Sequence, residues 1–386
     1  MKISDYVESQ IKGLWGTDFD ENGIPVIKTN NLTYEGNIDY SEICKRNITK
    51  EQAKGCYLRP GDLLIEKSGG TKTHSVGYVS YFEGDENKFV CNNFILALRP
   101  KNTINSKFLF YQIQFKYESN QFSDCFNKTT GIQNLKVKDY LAKEIKIYSS
   151  EEQEKIVKEL DTVRSTINKN KQILEKYDTL IKSRFIEMFG DSVTNSKNWN
   201  LKKLGDLLES IRYGTSTPPV FSETGYAFIR ATNIKKGKIV NDDMKYISEE
   251  EAKKISKCKL NGNEILIVRS GVNSGDTCVV TKEYINQYAG YDMILVLGNQ
   301  INPIYLNELL NTNYMEKMIK PLTRRAAQPH LNSEQTQSLP IILPPLSLQN
   351  DFAAFVHQID KSKFAVQKSL EKAETLYKSL MQEYFG

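Results

Sequence analysis

Residues 174–190 read LEKYDTLIKSRFIEMFG, and residues 370–386 read LEKAETLYKSLMQEYFG. Ten of these seventeen positions are identical at a constant offset of 196, where unrelated segments share about one. The similarity continues outward. KISDYVES at 2–9 faces KLGDLLES at 203–210, and Gly13 faces Gly214. IPVIKTNNL at 24–32 faces YAFIRATNI at 226–234, and NNFILAL at 92–98 faces YDMILVL at 291–297. GDLLIEKSG at 61–69 faces GNEILIVRSG at 262–271 with one inserted residue, and Gln153 faces Gln349. The chain is one unit of about 190 residues used twice, a domain duplication and not a solenoid.

Each unit has two parts. The first mixes β-rich runs at 25–28, 63–66, 76–82, 94–98 and 145–148 with a helix at 106–118, where Phe108, Tyr111, Ile113 and Phe115 supply apolar bulk. Gly, Asn, Asp and Pro punctuate the runs, so the expected fold is an α+β globule. The second part, residues 151–189, has no proline and no glycine. Its apolar residues at 156, 160, 163, 167, 174, 177, 181 and 188 follow the alternating 4-and-3 spacing of a coiled-coil seam. Asn170 is a polar break in that seam. The second copy repeats it through Phe352, Val356, Ile359, Val366, Leu370, Ala373, Tyr377, Leu380 and Tyr384, with the break at Lys363. A helix of this length extends on the order of 55 Å at 1.5 Å per residue, more than one globule covers. The two helices therefore bury their seams on each other, antiparallel, with approximate twofold symmetry.

The net charge of +5 over 386 residues is compatible with nucleic acid but disfavours a histone-like mode that relies on bulk charge. The N-terminus, MKISDYVESQIK, has acids and no apolar segment, so no signal peptide is expected. No run approaches the roughly 18 apolar residues of a membrane span. The six cysteines form no C-x-x-C pair and read as reduced thiols of a cytoplasmic protein, without a zinc site.

The order globule, long helix, globule, long helix resembles the specificity subunit of type I restriction–modification systems. Smaller marks agree: a K-[IL]-x-[DE] start at 2–5 and 203–206, a G-D-[IL]-[IL] strand with an S-G loop at 61–69 and 262–271, and a proline-rich junction ending in Gln at 340–349. The first junction, IKIYSSEEQ, lacks the prolines and keeps Gln153, with Ser149 and Ser150 marking a helix start. The resemblance implies target-recognition domains at 1–148 and 197–345, a central spacer helix at 149–190 and a C-terminal one at 346–386. It implies that each globule reads half of a split DNA target, and that the helices set the gap and dock two adenine methyltransferase subunits. Nuclease–translocase subunits would complete the assembly. S-adenosylmethionine would belong to the methyltransferase and ATP with magnesium to the motor, leaving this chain without cofactor or catalytic site. Two other readings compete: a coiled-coil adaptor whose globules bind protein, and the recognition module of another restriction architecture.

The residues themselves show no catalytic pattern. The Pro-Pro pairs, TPPV at 217–220 and LPPL at 343–346, lack the Asn or Asp and the aromatic that hold a flipped adenine. SGGTKT at 68–73 resembles a phosphate loop but has no Gly-Lys dipeptide and no match in the second copy. Asp62, Glu66 and Lys67 resemble a nuclease set, yet their spacing lacks the E-x-K alternation that puts both side chains on one strand face, and the second copy loses them. A buried strand ending in a turn is the simpler reading. His74, His330 and His357 are too scattered for a metal site.

Repetition locates candidate DNA contacts, since a split target generally has unlike halves. The S-G loops carry Lys67 and Lys72 in the first copy and Arg269, Asn273 and Ser274 in the second. Lys and Arg reach phosphates, while Arg and Asn pair bidentately with guanine and adenine edges. A second loop precedes the last strand of each globule. NKTTGIQNL at 127–135 supplies Lys128, Thr129, Thr130, Gln133 and Asn134, and TRRAAQPHL at 323–331 supplies Arg324, Arg325, Gln328 and His330. Lys28 and Arg230, on matching strands, complete the set. Each of these also has a plain reading as a solvated loop residue.

Overall fold

The run Leu63–Glu66 is buried at all four positions, as happens when both faces of a sheet are covered. It lies inside an antiparallel sheet ordered Val7–Ile11, Ile95–Pro100, Leu63–Glu66, Val79–Tyr81. Alternate side chains enter different cores, as the period of two requires. Leu63, Ile65, Leu96 and Leu98 join helix Ser106–Glu118 in one. Leu64, Ile95 and Ala97 join Ile11, Ile27 and Cys91 in the other, which a smaller sheet ordered Cys44–Arg46, Phe19–Ile27, Val90–Cys91 closes.

The computed structural model describes residues 1–71, 74–129, 132–323 and 329–386. The sheet above belongs to a first unit, Met1–Asn170 with Ser369–Gly386; a second comprises Lys171–Lys368. The second repeats the strand order as Leu208–Tyr213, Met293–Leu297, Ile265–Ile267, Thr277–Val279. Ile265, Ile267, Met293 and Leu295 pack with residues of helix Pro303–Leu310, and Leu266, Val268 and Ile294 enter the opposite core. Both edge strands carry a bulge at the same place, between Val7 and Ser9 and between Leu208 and Ser210. Each then passes a glycine that has no room for a side chain. A Cβ on Gly13 would stand 2.4 Å from the Asn92 carbonyl oxygen, and one on Gly214 1.5 Å from that of Gly290.

The long helices run Ser150–Phe189 and Leu346–Phe385, and each is shared between the units. In the first unit Ile156, Val157 and Leu160 share a core with Met381 and Phe385. There the Tyr384 hydroxyl donates to Glu159, and the Asn170 amide donates to Ser369 Oγ at 3.1 Å. In the second, Phe185 and Phe189 lie 5.5 Å from the Phe352 ring and Lys363 pairs with Asp178. In both units the partners run in opposite chain directions, so the segments are antiparallel. The two polar breaks in the seam, Asn170 and Lys363, are thus buried and partnered.

Gln153 and Gln349 fasten the helix starts. Gln153 Oε1 accepts from the Asn105 amide at 3.0 Å, and its Nε2 donates to the Tyr148 carbonyl at 2.9 Å. Gln349 does the same with Asn302 and Pro344, both at 2.8 Å. Asn105 and Asn302 are in turn the N-caps of the globule helices.

Two strand expectations need correction. Residues 76–82 shorten to strand Val79–Tyr81. Residues 145–148 form no strand, although their counterpart Pro340–Leu343 pairs with Asn200–Lys203. In the first unit only Met1 and Lys2 stand opposite this segment, through the Lys2–Glu144 bridge and the Ile145 amide to the Met1 carbonyl. The Gln112 carboxamide replaces a neighbouring strand by bonding both the amide and the carbonyl of Lys146.

Gln349 is fully buried, so Gln349→Leu leaves the Asn302 amide and the Pro344 carbonyl without partners. Each such loss costs about 1–3 kcal/mol. The variant is expected to unfold at clearly lower denaturant, whereas Gln358→Leu, on the exposed face of the same helix, should change stability by less than about 0.5 kcal/mol. Equal midpoints for the two variants would contradict the anchoring role.

Candidate nucleic-acid interface

The two loops singled out in each copy are neighbours. In the first unit Ser68–Gly69 pairs with Ile132–Leu135, which pairs with Phe126–Thr129. Lys67 begins this loop, and its carbonyl accepts the Leu135 amide at 2.8 Å. In the second unit Ser270 bridges His330, the Gly271 amide reaches the Pro329 carbonyl, and the Leu331 amide reaches the Arg269 carbonyl at 2.8 Å. Gly271 adopts φ +91° with open space around its Cβ position, so it is needed for the turn and not for clearance.

A third element meets them. The amide of Asn92 bonds the Ile27 carbonyl next to Lys28, and that of Gly290 bonds the Ile229 carbonyl next to Arg230. The same segments then turn to the S-G loops. The Lys67 amide donates to the Phe94 carbonyl at 2.7 Å, and the Arg269 amide to Asp292 Oδ1 at 3.3 Å.

Not every candidate side chain is free at this convergence. Asn134 Oδ1 accepts the Ser68 hydroxyl at 2.6 Å and Gln133 Oε1 accepts the Val76 amide at 3.2 Å. Their NH2 groups have no partner among the described residues. His330 Nδ1 lies 2.9 Å from Ser270 Oγ. Arg230 is committed to Asp243 at 3.0 Å, which makes it a loop staple. Lys67 and Asn273 are half-buried and their side chains have no partner among the described residues. Lys72, Thr130, Arg324, Arg325 and Gln328 lie outside the described residues, as do the side chains of Lys128 and Thr129.

Several neighbours were not anticipated. His74 stacks on Tyr34 with centroids 3.7 Å apart, and Tyr34 meets Tyr78 at 4.5 Å. The Arg269 guanidinium lies 4.7 Å from the Tyr213 ring centre. Val272, at the tip of the S-G loop, is 95% exposed, and Phe94 and Tyr291 are also exposed. Such apolar groups suit thymine methyls. Asp292 is buried, and burial pushes its carboxyl up to about 6 against the opposing pull of the Arg269 amide and charge.

The residues resembling a nuclease set serve the scaffold. Asp62 makes a two-point ion pair with Arg99, at 2.9 and 2.7 Å. Glu66 is buried and accepts the Gly70 amide at 3.4 Å. In the second unit Glu264 pairs with Arg212 instead. Among the described residues no three His, Cys, Asp or Glu side chains converge as a metal site, and no helix is long and apolar enough to cross a membrane.

Known proteins share both sequence and fold with this chain. A sequence model of the type I restriction modification DNA specificity domain matches residues 4–176 and again 196–374. The specificity subunit of the type I restriction enzyme EcoKI from Escherichia coli K12 is 22% identical over 388 residues, spanning 94% of this chain and 82% of that one. That of StySPI from Salmonella potsdam is 24% identical over 383 residues, spanning 93% and 80%. The crystal structure of a type I restriction–modification system S subunit from M. genitalium superimposes with a TM-score of 0.63 at 15% identity, covering 100% of this chain and 95% of that one.

Asp292 supplies a test of the charge balance at the loops. Its carboxyl titrates higher in the folded chain than in the unfolded one, so folding takes up a proton between about pH 4 and pH 6. This residue therefore lowers stability above about pH 6, and the penalty fades as pH falls toward 4. Asp292→Asn keeps an acceptor for the Arg269 amide and removes the charge. It should stabilise the protein at pH 7 by up to about 3 kcal/mol and leave it unchanged at pH 4. Denaturant midpoints of both proteins at the two pH values decide the matter; an equal difference at both would refute it.

Proposed function

The chain belongs to the type I restriction–modification DNA specificity family, and from that footing we propose that each unit reads one half of a split DNA target through its joined loops. As a specificity subunit the protein is non-catalytic. The observation that carries the two-half reading is the repetition of one convergence with different contents. The same three backbone segments meet in both units, while the side chains they present differ: Lys67, Gln133 and Asn134 in one, Arg269, Asn273 and His330 in the other. A common scaffold suits contacts that position the duplex, and unlike side chains suit unlike base sequences.

On this reading the long helices dock two adenine methyltransferase subunits, with nuclease–translocase subunits completing a restricting assembly. S-adenosylmethionine belongs to the methyltransferase, and ATP with magnesium to the motor. A cytoplasmic location fits six cysteines that are all unbonded. Sequencing the methylome with and without the gene tests the core of the proposal. Deletion should abolish one asymmetric, split adenine-methylation motif and no other. An unchanged methylome in a strain that expresses the protein would overturn it.

The helices are further proposed to set the gap between half-sites. One heptad inserted after Asn170 and another after Ala365 keep both seams in phase and leave Asn170 with Ser369 and Lys363 with Asp178. Each helix then grows by roughly 10 Å at 1.5 Å per residue, equivalent to about three base pairs at 3.4 Å each. The preferred gap should lengthen by that amount while the half-site sequences stay the same. Methylation would be mapped on targets of every gap length. A folded, active variant that kept the original gap would show that the helices do not measure it.

A further inference from the structure

Seven of the eight described arginines donate to a carboxylate or a carbonyl oxygen. Arg269 is the exception. Its guanidinium lies on the Tyr213 ring at 4.7 Å, and its Nε is enclosed with no hydrogen-bond partner. The terminal nitrogens are not enclosed and have no partner among the described residues. Asp292 takes the Arg269 backbone amide and forms no ion pair with the side chain. A stacked guanidinium is fixed in orientation while its in-plane donors stay available, and that rigid fork matches the O6 and N7 acceptors of guanine.

The first unit differs here. By the register of the repeat, Tyr213 corresponds to Lys12 and Arg269 to Lys67. Two flexible ammonium groups suit phosphates as point charges. The second unit has one planar, oriented donor with the Asp292 carboxyl beside its backbone amide. An ionised carboxylate there repels a phosphate more than it does a neutral base edge.

We propose that Arg269, positioned by Tyr213, reads a guanine through the major groove in the half-site bound by the second unit, and that Lys12 and Lys67 contact only the backbone at the equivalent place in the other half. This rests on the two-half reading above. The test uses the chain assembled with its methyltransferase and a library of split targets randomised in both halves, with methylation and binding read at several salt concentrations. The wild-type complex should require guanine at one position of one half. Arg269→Ala should reduce that preference by roughly 5- to 150-fold, the worth of one bidentate base contact, and leave the other half unchanged. Arg269→Gln, which has no cationic fork, should also lose it, and Tyr213→Phe, which keeps the ring, should retain it. Lys12→Ala and Lys67→Ala should weaken all sequences alike and reduce the salt slope.

Uniform weakening by Arg269→Ala, with a smaller salt slope and intact guanine preference, would make Arg269 a phosphate contact and overturn the proposal. Full guanine preference in Arg269→Gln would overturn it too, and decides the question if the alanine variant does not fold. A wild-type complex with no split motif would instead sink the two-half reading, whatever Arg269 does.

Discussion

A helix of forty residues cannot bury its apolar edge on the globule that launches it, and the rest of this structure follows from how that edge is covered. In each unit the start of one long helix packs beside the end of the other. Met381 and Phe385 complete the core around Ile156 and Leu160, and Phe185 and Phe189 complete the core around Phe352. Burying a Phe or Met side chain is worth about 1.5–3 kcal/mol, so losing two of them would consume much of a domain's net stability of about 5–15 kcal/mol. The repeated Phe-Gly ending, Phe189–Gly190 and Phe385–Gly386, has its physical reason here: the ring fills a core made largely by the other repeat.

The seam also carries polar groups where apolar ones would be more stabilising. Asn170 bonds Ser369 in the first unit, and Lys363 pairs with Asp178 in the second. Their counterparts in the repeat are Val366 and Ile173 for the first pair, and Ile167 and Glu374 for the second. The symmetry of the duplication is therefore broken inside the seam itself. A polar residue there tolerates only the register that brings its partner opposite. Sliding the helices by a heptad would take Asn170 from Ser369 and Lys363 from Asp178, at a cost set by the unpaired group. Each unit thus holds one polar pair that marks one register.

Much of this was legible in the sequence, for identifiable reasons. The strand at 63–66 and the helix at 106–118 have the bounds that periodicity gave them, because in both local preference and burial agree. The long helix starts at Ser150, within a residue of its expected position, because proline and glycine are absent and its start is marked. Residues 145–148 misled because a side chain, Gln112, took the place of a strand, and no local pattern announces such a substitution. At the loops, unlike residues in like positions pointed to Lys67 and Arg269. The same comparison along the edge strand sets Lys12 against Tyr213, but only tertiary pairing shows that Tyr213 lies under Arg269. Asp292 was invisible because its significance is its burial.

The two copies also show what a duplicated recognition scaffold must keep. Both retain the bulge, the close-approach glycine, the glutamine that fastens the helix start, and a buried asparagine that ties a loop. Asn31 bonds the Asp39 and Glu42 carbonyls, and Asn233 those of Val240 and Asp242. Each of these acts on backbone groups, so each is indifferent to what the loop side chains are. The buried ion pair is preserved in kind but rebuilt from other positions, Asp62 with Arg99 in one and Glu264 with Arg212 in the other. Both carboxylates also accept a backbone amide, of Arg59 and of Asn261, just before the same strand. What survived the inserted residue is the satisfied charge at that turn, which a buried carboxylate requires, and not the residue that carries it. A scaffold held mainly by backbone bonds leaves its loop side chains free to diverge, and that freedom allows one fold to serve two unlike half-sites.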